Sequence, residues 1–231
     1  VHIPDGFINA PVSIGAGVAA VGAVAGCLRK ARADTDERLV PMAGLAAAFI
    51  FAAQMINFPV AGGTSGHLLG GALAALLLGP YAGTLAVTVV LVVQAFLFAD
   101  GGLTALGLNV LNMGVVTAFA AYGVFAVLIR LLPKTRSAAV AAGGLAAGLS
   151  VPVSAMAFVA EYALGGTTDV AIGTVAAAMG GVHLLIGIGE GLITGATLAA
   201  VLRVRPDLVF AARHLASPVP HASPVRPAAG G

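Results

Sequence analysis

AGTLAVTVVLVVQAFLFA, residues 82–99, runs for 18 positions without an acidic or basic side chain. At a rise of about 1.5 Å per residue, it is close to the roughly 20 residues a helix needs to cross a bilayer core. Outward from it lie six further runs, near 12–28, 39–57, 67–79, 105–131, 138–162 and 172–202. The run at 67–79 is short, bounded by the Gly-rich stretch 61–66 before it and Gly79-Pro80 after it. The last run is longer than a bilayer requires, so its outer end projects or tilts. The pattern predicts an all-α polytopic membrane protein with seven transmembrane helices. Composition points the same way. Of 231 residues, 59% are hydrophobic and 9% charged, against about 25% charged in soluble domains. So few charges cannot cover the surface of a soluble enzyme or a nucleic-acid binder. In a membrane the outer surface is itself apolar, and Gly is common in spans. The single cysteine, Cys27, excludes a disulfide framework and a cysteine-rich metal site.

The eleven Lys and Arg residues fall in three clusters: Arg29, Lys30, Arg32 and Arg38; Arg130, Lys134 and Arg136; Arg203, Arg205, Arg213 and Arg226. With seven spans all three clusters lie on one side, which the positive-inside rule makes cytoplasmic. The N-terminus is then outside, with the loops near 58–66, 100–104 and 163–171, and the C-terminus is cytoplasmic. The expected location is the inner (plasma) membrane. The opening residues lack a basic n-region and a small-residue cleavage site, so they are expected to persist on the outer face. Residues 1–208 read as one transmembrane domain. The Pro- and Ala-rich 209–231 reads as a disordered cytoplasmic tail.

Polar groups inside a bilayer are costly and therefore few. Gln54 and Asn57 lie near the outer end of the second run, and His67 opens the third. Gln94 lies in the fourth, Asn109 and Asn112 are three apart in the fifth, and Glu161 ends the sixth. His183 and Glu190 share a face of the last, seven residues apart. Interhelical hydrogen bonding accounts for most such amides. His2 carries a different chemistry. A histidine second in a chain with a free terminus offers three donors: the α-amine, the deprotonated His2 amide and imidazole Nδ1. The planar peptide keeps them near one plane. A fourth nitrogen would complete a square, a geometry suited to Ni(II) and Cu(II) and unlike Mg or Ca. His67, at the outer end of a run after a Gly-rich loop, is the available fourth donor. Each histidine alone reads as an ordinary surface or interfacial residue. Together, on one side of the membrane, they make a metal site plausible.

Several stretches resemble the CbiM/NikM family, the substrate-capture (S) components of energy-coupling-factor cobalt and nickel importers. The opening Val1-His2-Ile3-Pro4-Asp5-Gly6 resembles the family's N-terminus, and residues 57–71, from Asn57 through His67 to Gly71, its longest motif. Residues 94–107, with 109–114 continuing them, and residues 183–191 are similar to two others. The resemblance spans roughly 1–208. It implies a seven-span S component whose N-terminus inserts into the bundle from outside. It also implies Ni(II) or Co(II), as transported substrate, held by the amine of Val1, the His2 amide and imidazole, and His67. Asn57, Asn109, Asn112, His183 and Glu190 are candidates for hydrogen bonds that orient those ligands. Gly62 and Gly63 allow the loop to approach the site closely. The family begins with Met; a GTG start or a removed Met reconciles Val1 with a free amine beside His2.

The resemblance further implies a transmembrane coupling (T) subunit, two ATPase (A) subunits and a small accessory membrane subunit. No G-x-x-x-x-G-K-[ST] loop is present, so ATP hydrolysis is assigned to partners and the chain is read as a transport component, not an enzyme. Gly15, Ala19, Ala23 and Cys27 form a small-residue ridge at i, i+4 spacing, suited to the coupling subunit or to a neighbouring span. Two other classes compete: a stand-alone secondary transporter, for which Glu190 is the one mid-membrane acid, and an intramembrane metalloenzyme, which lacks an H-E-x-x-H pair. The topology is testable in a Cys27→Ala background. A cysteine at Ala61 should react with an impermeant thiol reagent in intact cells, and one at Thr135 should not. The reverse labelling would invert the orientation.

Overall fold

The computed structural model describes residues 2–33, 39–56, 58–59 and 65–215. Val1, Asn57, most of the Gly-rich loop and residues 216–231 of the expected tail lie outside the described residues. In chain order the elements are α1 (Ala10–Ala33), α2 (Leu39–Gln54), the two-residue strands β1 (Phe58–Pro59) and β2 (Ser65–Gly66), α3 (Gly71–Leu78) and α4 (Pro80–Leu97). They are followed by α5 (Leu106–Asn109), a π-helical segment (Val110–Val116), α6 (Thr117–Leu131), α7 (Arg136–Gly165) and α8 (Ile172–Val204). The protein is a polytopic helical membrane protein. Five helical stretches among the described residues are long and apolar enough to cross a membrane: 10–33, 80–97, 106–131, 136–165 and 172–204; Val40–Gln54 is a shorter apolar helix.

The third expected span is the element that differs. Only Gly71–Leu78 is helical there, eight residues, rising about 12 Å. Residues 67–70 approach it without regular structure. Glycine causes both ends. Gly70 (φ 75°) breaks the helix at its start, and Gly79 (φ 89°) turns the chain so that Pro80 begins α4. Every residue of α3 is buried, packed against α2, α4, α6, α7 and α8. This half-helix is the centre of the bundle. The outward faces are apolar, as lipid requires: Val18, Leu45, Leu185 and Leu192 are all about 70% exposed.

Close approach depends on small residues. A Cβ on Gly83 of α4 would lie 2.7 Å from backbone atoms of Ala74 and Ala75 in α3. Gly144 and Gly148 of α7 face Gly191 and Gly187 of α8, where Cβ atoms would meet carbonyl oxygens at 3.0 and 3.1 Å. This is the small-xxx-small packing of membrane helices. The ridge expected on α1 packs inside the chain only toward its C-terminal end. The buried line of α1 is Ser13, Ala16, Ala20 and Cys27. Gly15 and Ala19 face outward and Ala23 is half-buried, so the neighbouring-span role falls away for the first two.

The first residues of the expected tail, from 209, are structured and packed. Pro206–Leu208 and Phe210–Leu215 form short 3₁₀ turns. Val209, Ala211 and Ala212 are buried, and the second turn packs on α3 and α7. The apolar run 208–212 has a docking place because Gly79 leaves room for the Phe210 ring, which would lie 3.0 Å from a Cβ there. Gly83→Ala should push α4 off α3 and lower stability by about 1–3 kcal/mol, measured by unfolding in detergent; an unchanged unfolding midpoint would show the contact to be slack.

Candidate metal centre

The N-terminal segment enters the bundle and is held at several points. Ile3 is fully buried and His2 only 5% exposed. The Asn109 side chain grips the Ile3 peptide, its Oδ1 accepting from Ile3 N–H at 2.8 Å and its Nδ2 donating to the Ile3 carbonyl at 3.3 Å. Gly102 N–H donates to the same carbonyl at 2.9 Å. Asp5 Oδ1 accepts from the Thr104 backbone N–H at 2.7 Å and hydroxyl at 2.6 Å. The Thr104 hydroxyl, then its N–H, hold the Asp5 carboxyl below its ordinary pKa. Further on, Asn9 N–H donates to Gly165 O at 2.7 Å, and Thr167 N–H to Phe7 O at 3.1 Å. The terminus is therefore tied to the α4–α5 loop, the α5–α6 rod and the end of α7.

His2 and His67 come together. Their ring centroids are 4.5 Å apart, tilted by 31°, and His67 is fully buried. His67 Nδ1 donates to the Leu68 carbonyl at 2.7 Å. In the neutral ring this leaves Nε2 as the basic nitrogen. His2 Nε2 lies 3.2 Å from Gln94 Oε1. Its Nδ1 lies 3.2 Å from Asp100 Oδ1, off the line of a hydrogen bond. The polar contact with His2 outweighs desolvation and holds the Asp100 carboxyl below its ordinary pKa. Among the described residues, no three His, Cys, Asp or Glu side chains gather closely enough to hold a metal. A divalent ion here would have to draw on backbone or terminal nitrogens as well.

The backbone that carries His67 is clamped. Leu69 N–H donates to Glu190 Oε2 at 2.6 Å, and Gly70 N–H to Oε1 at 2.8 Å. Gln54 Nε2 donates to the Leu69 carbonyl at 2.6 Å. Glu190 on α8 and Gln54 on α2 thus supply what the missing first turns of α3 would have supplied. Asn112 differs from expectation. Its Nδ2 donates to Glu161 at 2.7 Å and its backbone carbonyl accepts from the Ser154 hydroxyl at 2.8 Å, so it faces α7 while Asn109 faces the N-terminus. The π-helical segment that begins after Asn109 separates the two faces. His183 is fully buried, its Nδ1 donating to Met179 O at 2.7 Å, and its Nε2 has no hydrogen-bond partner. Val1 and Asn57 lie outside the described residues. Sequence reasoning passed over Asp5, Thr104 and Asp100; their signal was an acid, or a hydroxyl able to meet one, beside the glycines of a tight loop.

Glu190→Gln keeps the volume but turns an amide donor toward Leu69 or Gly70. It should loosen the His67 segment and weaken metal affinity about 10–100-fold, read by isothermal titration with Ni(II). Equal affinity would leave the clamp with a purely structural part.

The comparisons agree with this architecture. Residues 2–208 match the family model described as CbiM, cobalt uptake substrate-specific transmembrane region. The fused nickel transport protein NikMN of Rhodobacter capsulatus is 34% identical over 233 residues, spanning 95% of this chain and 67% of that protein. The cobalt transport protein CbiM of Sorangium cellulosum is 34% identical over 188 residues, 81% of this chain and 84% of that one. A crystal structure of a transition metal transporter is 29% identical and superposes with a TM-score of 0.82, covering 88% of this chain and 93% of that one. With the family model covering nearly the whole described bundle, the chain belongs to the CbiM family of metal-uptake membrane proteins.

Proposed function

We propose that this chain is the metal-capture (S) component of an ATP-driven energy-coupling-factor importer for cobalt or nickel. The observation that carries the reading is the pairing of His2 and His67, rings 4.5 Å apart, with His2 on a buried N-terminal segment. The donors are the amine of residue 1, the His2 amide and imidazole Nδ1, and His67 Nε2. Asn109 orients the first residues, and Glu190 with Gln54 fixes the backbone beside His67. Both cobalt and nickel occur in the names of relatives. A planar four-nitrogen set suits Ni(II) intrinsically. In this reading the N-terminus faces outside and the C-terminus the cytoplasm of the plasma membrane. Transport energy comes from a coupling subunit and two ATPases, with the outward face of α1 at Gly15 and Ala19 as a contact surface.

The N-terminal chelate is the most exposed part of the reading. His67→Ala should abolish tight Ni(II) binding in a protein that still folds. An uncleaved N-terminal extension should eliminate both binding and uptake of radiolabelled metal in cells carrying the partner subunits, while a C-terminal tag is tolerated. Protons compete for the same nitrogens, so affinity should fall as the medium is acidified. Normal uptake by an N-terminally extended protein would sink the terminal-amine mechanism. Uptake into vesicles holding this chain alone would favour a secondary transporter.

A further inference from the structure

We propose that the recess beneath the half-helix α3 holds an anionic phospholipid, its phosphate on Arg213 and its acyl chain along Phe119. The recess has a volume of about 340 Å³ and lies where α1, α4 and α6 meet the 3₁₀ turn Phe210–Leu215. Its depth is that of a membrane–water boundary. α4 begins at Pro80 and runs for 18 residues, about 27 Å, close to the roughly 30 Å of a hydrocarbon core. Pro80 and Tyr81 therefore lie at one edge of that core. Counted from Ala10, α1 has risen about 30 Å when it reaches Lys30 and Ala31, and Ala31 lines the same recess. Two helices thus place it at one edge, on the face where the basic clusters gather. Tyrosine favours this depth, where its ring stays in apolar surroundings and its hydroxyl in polar ones.

The walls divide by chemistry. Ala82 and Phe119 are apolar, and Phe119 is 38% exposed, so this side continues onto the lipid-facing surface of α6. The other side carries Tyr81, Tyr122 and Arg213. Ring contacts hold all three. Tyr81 meets Phe119 edge-on with centroids 5.6 Å apart, and Tyr122 meets Phe210 at 5.9 Å. The Arg213 guanidinium carbon lies 4.5 Å from the centre of the Phe210 ring. Among the described residues Arg213 has this ring contact alone, and neither tyrosine hydroxyl has a hydrogen-bond partner. Nearby Arg205 is different, being paired with Asp207 at 3.0 and 2.8 Å. The acids Asp34, Asp36 and Glu37 lie outside the described residues. A guanidinium packed on a ring keeps its N–H edge for the two oxygens of a phosphate. No carboxylate among the described residues lines the recess, so its charge complements an anion. A free phosphate would leave the apolar half empty, whereas a phospholipid fills both halves. The bound lipid would also pin the turn whose Phe210 ring sits against Gly79.

The test uses the full chain in detergent micelles carrying phosphatidylglycerol or, at equal mole fraction, zwitterionic phosphatidylcholine, with sodium phosphate as a third arm. Thermal unfolding and native mass spectrometry are compared for the unmodified protein, Arg213→Gln, the double variant Tyr81→Phe with Tyr122→Phe, and Arg205→Gln. Phosphatidylglycerol should raise the unfolding midpoint of the unmodified protein and stay bound as one molecule. Phosphatidylcholine and inorganic phosphate should do neither. Arg213→Gln loses a charge-assisted pair and should bind phosphatidylglycerol at least about tenfold more weakly. The tyrosine variant should weaken binding in the same direction, and Arg205→Gln should respond as the unmodified protein does. An equal response to phosphatidylcholine overturns the proposal, as does unchanged phosphatidylglycerol affinity in Arg213→Gln. A response to inorganic phosphate alone would make the recess a free-anion site. Normal lipid affinity in Arg213→Gln with loss of co-purifying membrane subunits would make it a protein interface instead. If Arg213→Gln fails to fold, the tyrosine variant decides, since it removes two hydroxyls and no ring. No arm uses a metal ion, so the outcome stands apart from the N-terminal chelate.

Discussion

Backbone that leaves the helix inside an apolar bundle must give its N–H and C=O groups to something other than water. At Leu69 and Gly70 it gives them to Glu190 and Gln54, through three hydrogen bonds of 2.6–2.8 Å. Much else depends on this exchange. It lets the chain arrive at His67 unwound, shortens α3 to a half-helix, and opens the space beside His67 that the N-terminus fills. It also ties the backbone beside His67 to α2 and α8. A continuous helix through 67–79 would have satisfied the same groups internally and left no place for His2.

The N-terminal segment is the complement of that opening. It has little helix of its own and brings its polar atoms to partners already in place: Asn109 for Ile3, Gly102 for the same peptide, Thr104 for Asp5. Its apolar atoms bury with the core, with Ile3 and Ile8 beside Leu69, Phe158 and Tyr162. The arrangement resembles a ligand docked into a receptor whose two halves belong to one chain.

How much of this the residues announced varies with the kind of signal. The long runs were legible because a span is a matter of apolar length: 82–99, without a charge, and 172–202, with Glu190 alone, became α4 and α8. The pairing of His2 with His67 was legible because it follows from chelate chemistry and a family resemblance, not from geometry. The half-helix was not, since an apolar run of thirteen residues does not say which of them are helical. Gly70, Gly71 and Gly79 were the only hint. Asp100 was missed for a related reason. Its place beside His2 comes from a left-handed Ala99, and alanine carries no sign of that conformation. The turn at Phe210–Leu215 was read as tail because composition after Arg203 is that of a tail.

The widened turn between Asn109 and Thr117 has a consequence for how this protein can vary. Its seven residues, Val110–Val116, are wound with longer hydrogen-bonded rings than the helix on either side. Removing one residue there would restore ordinary winding but rotate everything before it by about 100° relative to α6. Asn109 would leave the Ile3 peptide, and Asn112 could no longer serve Glu161 while its neighbour served the N-terminus. Insertions and deletions in most membrane helices are tolerated at the ends. Here the length of one interior segment is itself a functional quantity, and a chain one residue shorter would need a different anchor for its own beginning.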